Sequence, residues 1–68
     1  MSEVYHPSVA HVLRYFSCAH LPERLQKVVM PFWNLAEQCA DRAPQNPETT
    51  VALRKLLEAK DAAVRAAL

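Results

Sequence analysis

The 68-residue sequence contains no glycine. Without glycine it cannot carry the phosphate-binding motifs G-x-G-x-x-G and G-x-x-x-x-G-K-[ST], or the G-x-S-x-G nucleophile turn of a hydrolase. Glycine is also the residue that most readily adopts the positive φ angles of tight β-hairpin turns. Alanine, leucine, glutamine and charged residues fill the chain instead, and their helix propensity predicts an all-α fold.

Cysteine, excess charge and long apolar runs are scarce as well. Two Cys are too few for a disulfide scaffold, and free thiols suit the cytoplasm, which is the expected location. The three His, at positions 6, 11 and 20, share no helical face, so neither a metal nor a cofactor is expected. A net charge of +1 does not favour duplex nucleic acid as a partner. With no signal peptide and no apolar run near ~18 residues, no membrane partner is expected.

The chain is also short, so we expect residues 1–68 to form a single domain. A chain of this size buries only about 60% of its unfolded surface, and its core is marginal. Such chains are usually stabilised by disulfides, a metal or a partner chain. With the first two disfavoured, the sequence predicts a symmetric homo-oligomer.

Prolines and apolar periodicity divide the chain into helices. The predicted elements are a loose segment at 1–6, a short helix at 8–17, a kinked helix at 22–42 and a helix at 47–68. Pro31 causes the predicted kink, because it cannot donate to the carbonyl four residues earlier. Asn46 precedes Pro47 and Glu48, a pattern typical of a helix start. The short connection predicts that the two long helices form an antiparallel hairpin.

The kinked helix carries two apolar rows at helical spacing. The Leu25 row consists of Leu25, Val28, Phe32, Leu35 and Cys39, and the Val29 row of Val29, Trp33, Ala36 and Ala40. Two rows require two neighbours, and one hairpin partner covers about one of them. The Val29 row is therefore predicted to lie in a subunit interface.

The last helix places charged residues beside its apolar face. Lys60 occupies a position where that face should continue, so its stem packs while the ammonium reaches water, or it meets an anion in a pocket between chains. Arg54, Asp61 and Arg65 share another face. Asp61 is either a solvated surface partner of Arg65 or orients its guanidinium towards a phosphate.

The aromatic residues allow two interpretations. Trp33, the only Trp, is a core or interface anchor or a stacking platform for a nucleobase. Tyr15 and Phe16 allow the same alternatives, and Phe16 fits a core better. Cys18 and His20 lie in a break between helices without a visible oxyanion hole, so the chain is not expected to be an enzyme.

The stretch from Phe16 to Leu68 resembles a phage-encoded family of helical-hairpin proteins related to the cyclic-oligonucleotide sponges that block CBASS and Thoeris immunity. The resemblance rests on HLPERLQ at 20–26, PFWNLAEQ at 31–38 and NPETTVALRKLLEAKDAAVRAAL at 46–68. It implies a non-enzymatic protein that forms hexamers and sequesters cyclic di- and trinucleotides in pockets between protomers.

The resemblance also implies pocket residues. A basic or aromatic side chain on the first long helix corresponds to Trp33, and an Arg near the end of the last helix corresponds to Arg65. The position of Trp33 carries Lys in some sponges. An aromatic residue before the HLP segment, usually Tyr, is Cys18 here, and Tyr15 or Phe16 are the candidates to compensate for it.

Two function classes follow from the sequence. One is a sponge that sequesters a cyclic oligonucleotide and so antagonises host anti-phage defence. The other is a small helical protein–protein interaction or structural module with no small-molecule ligand. Lys60 distinguishes them, because a pure interaction module has little reason to place a cation in an apolar row.

Overall fold

The computed structural model describes residues 5–68, and every regular element within that range is helical. The elements are α1 (Pro7–Leu13), a 3₁₀ turn (Arg14–Phe16), α2 (Glu23–Arg42) and α3 (Pro47–Ala67). The all-α prediction is confirmed for this part of the chain. The Cα radius of gyration is 12.0 Å, close to the ~11 Å expected of a compact chain of this length.

The N-terminal segment was predicted to be loose over residues 1–6, and residues 1–4 lie outside the described part. Tyr5 and His6 make specific contacts. The Tyr5 hydroxyl donates a hydrogen bond to Asp41, and the His6 backbone N–H donates to the side-chain oxygen of Gln45 at 2.8 Å. These two residues therefore attach the start of the described chain to the end of α2 and the connection that follows it.

Local sequence explains where the helices begin and end. His6 caps α1 by accepting a hydrogen bond at Nδ1 from the backbone N–H of Ser8 at 3.2 Å, and Pro7 takes the first helical position. After the 3₁₀ turn, Ser17 adopts an extended conformation and ends the first helical segment. α2 contains Pro31 and continues on both sides of it as one helix.

The two long helices run antiparallel. Near the start of α2, the Arg24 Nη1 atom donates to the carbonyl oxygen of Ala67 at the end of α3, at 3.0 Å. This bond satisfies one of the carbonyl groups that a helix C-terminus leaves without an intrahelical partner. α1 packs across both long helices and completes a single core of Val9, Val12, Phe16, Ala36, Ala40 and Leu53.

The packing corrects the prediction made for the Val29 row. Val29, Ala36 and Ala40 are buried within this chain, whereas Trp33, the fourth member of the row, is only partly buried. The physical reason is that α1 and the 3₁₀ turn supply the second neighbour, and the small alanines let the helices approach closely. The Leu25 row is the more open one, since Leu35 retains 47% of its accessible surface.

Asn46→Ala should destabilise the fold by about 1 kcal/mol. The Asn46 Oδ1 atom accepts a hydrogen bond from the Thr49 backbone N–H at 3.1 Å, and alanine leaves that group without its cap. The measurement is urea unfolding followed by circular dichroism. Asn34→Ala, an exposed position within α2, is the matched control and should be neutral or slightly stabilising, because alanine is the better helix former. Equal losses in both variants would contradict the capping role.

Candidate functional site

An open groove of about 420 Å³ lies between the 3₁₀ turn, the segment that follows it and the C-terminal half of α3. We call it the cationic groove. Its lining residues are Arg14, Tyr15, Ser17, His20, Leu21, Lys60, Asp61, Val64 and Arg65. Three permanent cations and one carboxylate give this lining a net charge of +2 when His20 is neutral. The groove therefore favours an anionic ligand.

The 3₁₀ turn orients the aromatic wall of this groove. Phe16 is fully buried in the core, and its neighbour Tyr15 is consequently turned outwards with 56% of its surface accessible. The ring of Tyr15 meets that of His11 edge-on, with ring centres 5.5 Å apart and an interplanar angle of 80°. This contact leaves Tyr15 at the rim of the groove with its orientation defined by α1.

Lys60 has a packed stem, as one of its two interpretations predicted. Its side chain is only 14% exposed, so the stem packs against the helices, while its Nζ atom lies 2.8 Å from Asp61 Oδ1. Asp61 was expected to partner Arg65, either as a solvated surface pair or by orienting its guanidinium, and the structure instead pairs it with Lys60. The flexible lysine stem reaches the adjacent carboxylate, although neighbouring helical residues do not ordinarily face each other.

Arg14 joins Lys60 and Arg65 in the groove, and sequence reasoning missed it. Its Nη2 atom donates to His11 Nδ1 at 2.7 Å. His20 also lines the groove, although from the sequence it was considered only as a metal ligand and beside Cys18. No sequence pattern linked Arg14 or His20 to Lys60, because at least 40 residues separate each from it in the chain.

Other predicted site residues lie elsewhere. Phe16 is fully buried in the core, and Cys18 is buried with its Sγ atom 3.6 Å from Met30 Sδ. Neither side chain is available to a ligand in the groove, because both are buried beneath the 3₁₀ turn and the segment after it. Arg54 is exposed on α3 and is absent from the groove lining.

Trp33 lines a second groove, of about 310 Å³, which we call the aromatic groove. Its lining residues are Tyr5, Ala10, Leu13, Arg14, Ser17, Trp33 and Glu37. Arg14 and Ser17 border both grooves. The 3₁₀ turn therefore lies between Trp33 on one side and Lys60 and Arg65 on the other. Trp33 therefore does not line the cationic groove. It would have to do so in order to stack on a base beside Arg65 of the same chain.

The Tyr5 phenol, which lines the aromatic groove, lies close to two carboxylates. Its hydrogen bond to Asp41, with burial and the negative charges of Asp41 and Glu37, raises the pKa of Tyr5 to about 12. These carboxylates disfavour the phenolate, because ionisation would place a third negative charge beside them. The aromatic groove therefore lacks the excess positive charge of the cationic groove, since Arg14 and Glu37 in its lining cancel and Asp41 lies next to it.

Tyr5 should make the folded state sensitive to alkaline pH. A group whose pKa is raised on folding contributes stability below its unfolded pKa, here 10, and loses that contribution as the pH rises to about 12. Ultraviolet titration should show a tyrosine step near 12 that Tyr5→Phe removes. Asp41→Asn should move that step to lower pH, and an unmoved step would contradict the proposed cause.

Comparisons of the chain with family models, curated proteins and solved structures find no match. In the described range, no helix is both long and apolar enough to cross a membrane. Over the same residues, no three His, Cys, Asp or Glu side chains converge in a cluster that could hold a metal ion. The function proposed below therefore depends on the geometry of the cationic groove.

Proposed function

We propose that this chain is a non-enzymatic binding protein that sequesters a cyclic oligonucleotide signal. The observation that carries the proposal is the convergence of Arg14, Lys60 and Arg65 around the exposed ring of Tyr15. A cyclic di- or trinucleotide presents phosphates to the cations and bases to the ring. Arginine forks bind phosphate through charge-assisted hydrogen bonds, and nucleobases stack on aromatic faces.

The charges of the cationic groove support binding of an anion. Lys60 and Asp61 form an ion pair, so an incoming phosphate exchanges with Asp61 as the partner of the ammonium. Arg65 is exposed on the last turns of α3, where a ligand can reach it directly. The cyclic character of the ligand comes from the sequence resemblance, and the anionic character comes from the groove.

Self-association is part of the proposal, and we place it on a face other than the Val29 row. Another groove, of about 360 Å³ and largely apolar, lies beside Leu35 and Cys39 of α2 and Ala52 of α3. Burial of exposed Leu35 by a second copy would remove apolar surface from water. We propose that copies associate here, as hexamers according to the resemblance, with the cationic groove completed by a neighbouring protomer.

Arg65→Ala should weaken binding of a cyclic dinucleotide or trinucleotide by about 1.5–3 kcal/mol, or roughly 10- to 150-fold, through loss of a charge-assisted hydrogen bond. Calorimetry on the full chain measures this, after a thermal-shift screen of cyclic and matching linear nucleotides. Arg54→Ala is the matched control, because it removes the same charge from the same helix outside the groove. Its effect should be small.

Three other results of the binding and size-exclusion measurements would contradict the proposed role of Arg65. Failure of every cyclic nucleotide to bind would contradict the sponge proposal and leave the interaction module as the function. Equal weakening by Arg54→Ala and Arg65→Ala would show general attraction without a site. Unchanged binding accompanied by dissociation in size-exclusion chromatography would make Arg65 an interface residue.

A further inference from the structure

The aromatic groove has a different lining from the cationic groove. Trp33, Tyr5 and Leu13 line it together with one carboxylate, Glu37, and one cation, Arg14. Asp41 adds a carboxylate next to the groove, since it accepts the hydrogen bond of the Tyr5 hydroxyl. We propose that this groove binds an organic cation, specifically an alkylated ammonium group.

The ligand class follows from the two aromatic rings. The face of an indole or phenol ring is electron-rich and attracts a cation placed within about 6 Å of the ring centre. A quaternary ammonium group carries its charge on methyl groups, which need no hydrogen bonds and pack against Leu13 and Ala10. The volume of about 310 Å³ is at the lower end of ligand sites and suits a small head group.

The charges near the groove support a cation over a phosphate-bearing ligand. The lining carries one cation, Arg14, and one carboxylate, Glu37, so it is neutral, and the Asp41 carboxylate that accepts the Tyr5 hydrogen bond adds negative charge next to it. The hydrogen bond to Asp41, burial and the charges of Asp41 and Glu37 raise the pKa of Tyr5 to about 12, in line with this placement of the carboxylates.

Substitution of Arg14 should have opposite effects on ligand affinity in the two grooves. It borders both of them, and its guanidinium donates to His11. Its positive charge opposes a cation in the aromatic groove and assists an anion in the cationic groove. Arg14→Gln should therefore strengthen binding of an ammonium ligand while it weakens binding of a nucleotide.

The experiment titrates the full chain with choline and with its uncharged carbon analogue, 3,3-dimethylbutan-1-ol. Trp33 is the only Trp, so its fluorescence reports on this groove directly. Choline should bind with a dissociation constant on the order of millimolar, and the uncharged analogue at least about fivefold more weakly. Glu37→Gln should weaken choline binding by about fivefold, the effect of one nearby surface charge. Glu58→Gln on α3 is the matched control and should have no effect.

The same titrations contain the results that would overturn the inference. Equal binding of choline and the uncharged analogue would show an apolar groove with no preference for charge. No response of Trp33 to choline, or an unchanged affinity in Glu37→Gln, would remove the site. Displacement of choline by a cyclic nucleotide in the Arg65→Ala variant would assign the groove to the nucleotide instead.

A peptide carrying trimethyl-lysine distinguishes two sources of the alkylated ammonium group, a partner protein and a free small molecule. Tighter binding of the peptide than of choline identifies a modified side chain of a partner protein as the ligand. Tighter binding of choline identifies a free small molecule. Binding of neither would overturn the proposal. The result does not depend on nucleotide binding, so the two proposals fail separately.

Discussion

Phe16→Ala is expected to unfold the chain. Phe16 is fully buried among Val9, Val12 and Leu53, and truncation of a core phenylalanine typically costs about 3–5 kcal/mol. A domain of this size has a core that rarely supplies more than about 3–5 kcal/mol of stability. Urea titration followed by circular dichroism should therefore show a largely unfolded variant without denaturant.

The adjacent residue is the control for this prediction. Tyr15→Ala removes an aromatic side chain of similar size from an exposed position, so its effect on stability should stay within about 0.5 kcal/mol. If a cyclic nucleotide binds, Tyr15→Ala should weaken its binding. A folded Phe16→Ala variant that has lost only ligand binding would contradict the core assignment and return Phe16 to the candidate site.

Ala36→Glu is expected to be comparably severe. Ala36 is fully buried where α2 meets α1 and α3, and a carboxylate there would lose its hydration without gaining a partner. Burial of an unpaired charge costs several kcal/mol in proteins, roughly the whole stability of a chain this small. Thermal unfolding should therefore show no cooperative transition at neutral pH.

Leu35→Glu separates folding from association at the next position along α2. Leu35 is 47% exposed, so the variant should fold with nearly unchanged stability. Under the association proposal it should also reduce the oligomer to smaller species in light scattering. An unchanged oligomer would exclude the Leu35 face. An Ala36→Glu variant that folds as a monomer would instead support the original assignment of the Val29 row to an interface.

Much of the local structure could be predicted because it depends on neighbours in sequence. Asn46 with Pro47 indicated the start of α3, and the absence of glycine with high helix propensity indicated an all-α chain. The contrast between Tyr15 and Phe16 was anticipated in part, since Phe16 fitted the core better. Lys60 was recognised as out of place on an apolar face, and it does combine a packed stem with an ammonium at a groove.

The rest depended on where α1 packs. A heptad pattern shows that α2 has two apolar rows but does not say which neighbour covers each, because apolar burial is non-directional. The core contacts of α1 and the 3₁₀ turn with α2 and α3 bury Ala36 and Ala40 inside the chain. The same packing brings Arg14 beside Lys60 and separates Trp33 from Arg65.

The amino-acid sequence was enough to predict the helical class, the cap of α3 and the presence of cations beside apolar faces. These are properties of residue type and of spacings shorter than about two helical turns. Tertiary packing sets which cations share a groove, which cysteine is buried and which apolar row remains open. Those outcomes arise from contacts between residues far apart in the chain, and their geometry exists only once α1 has docked on the hairpin.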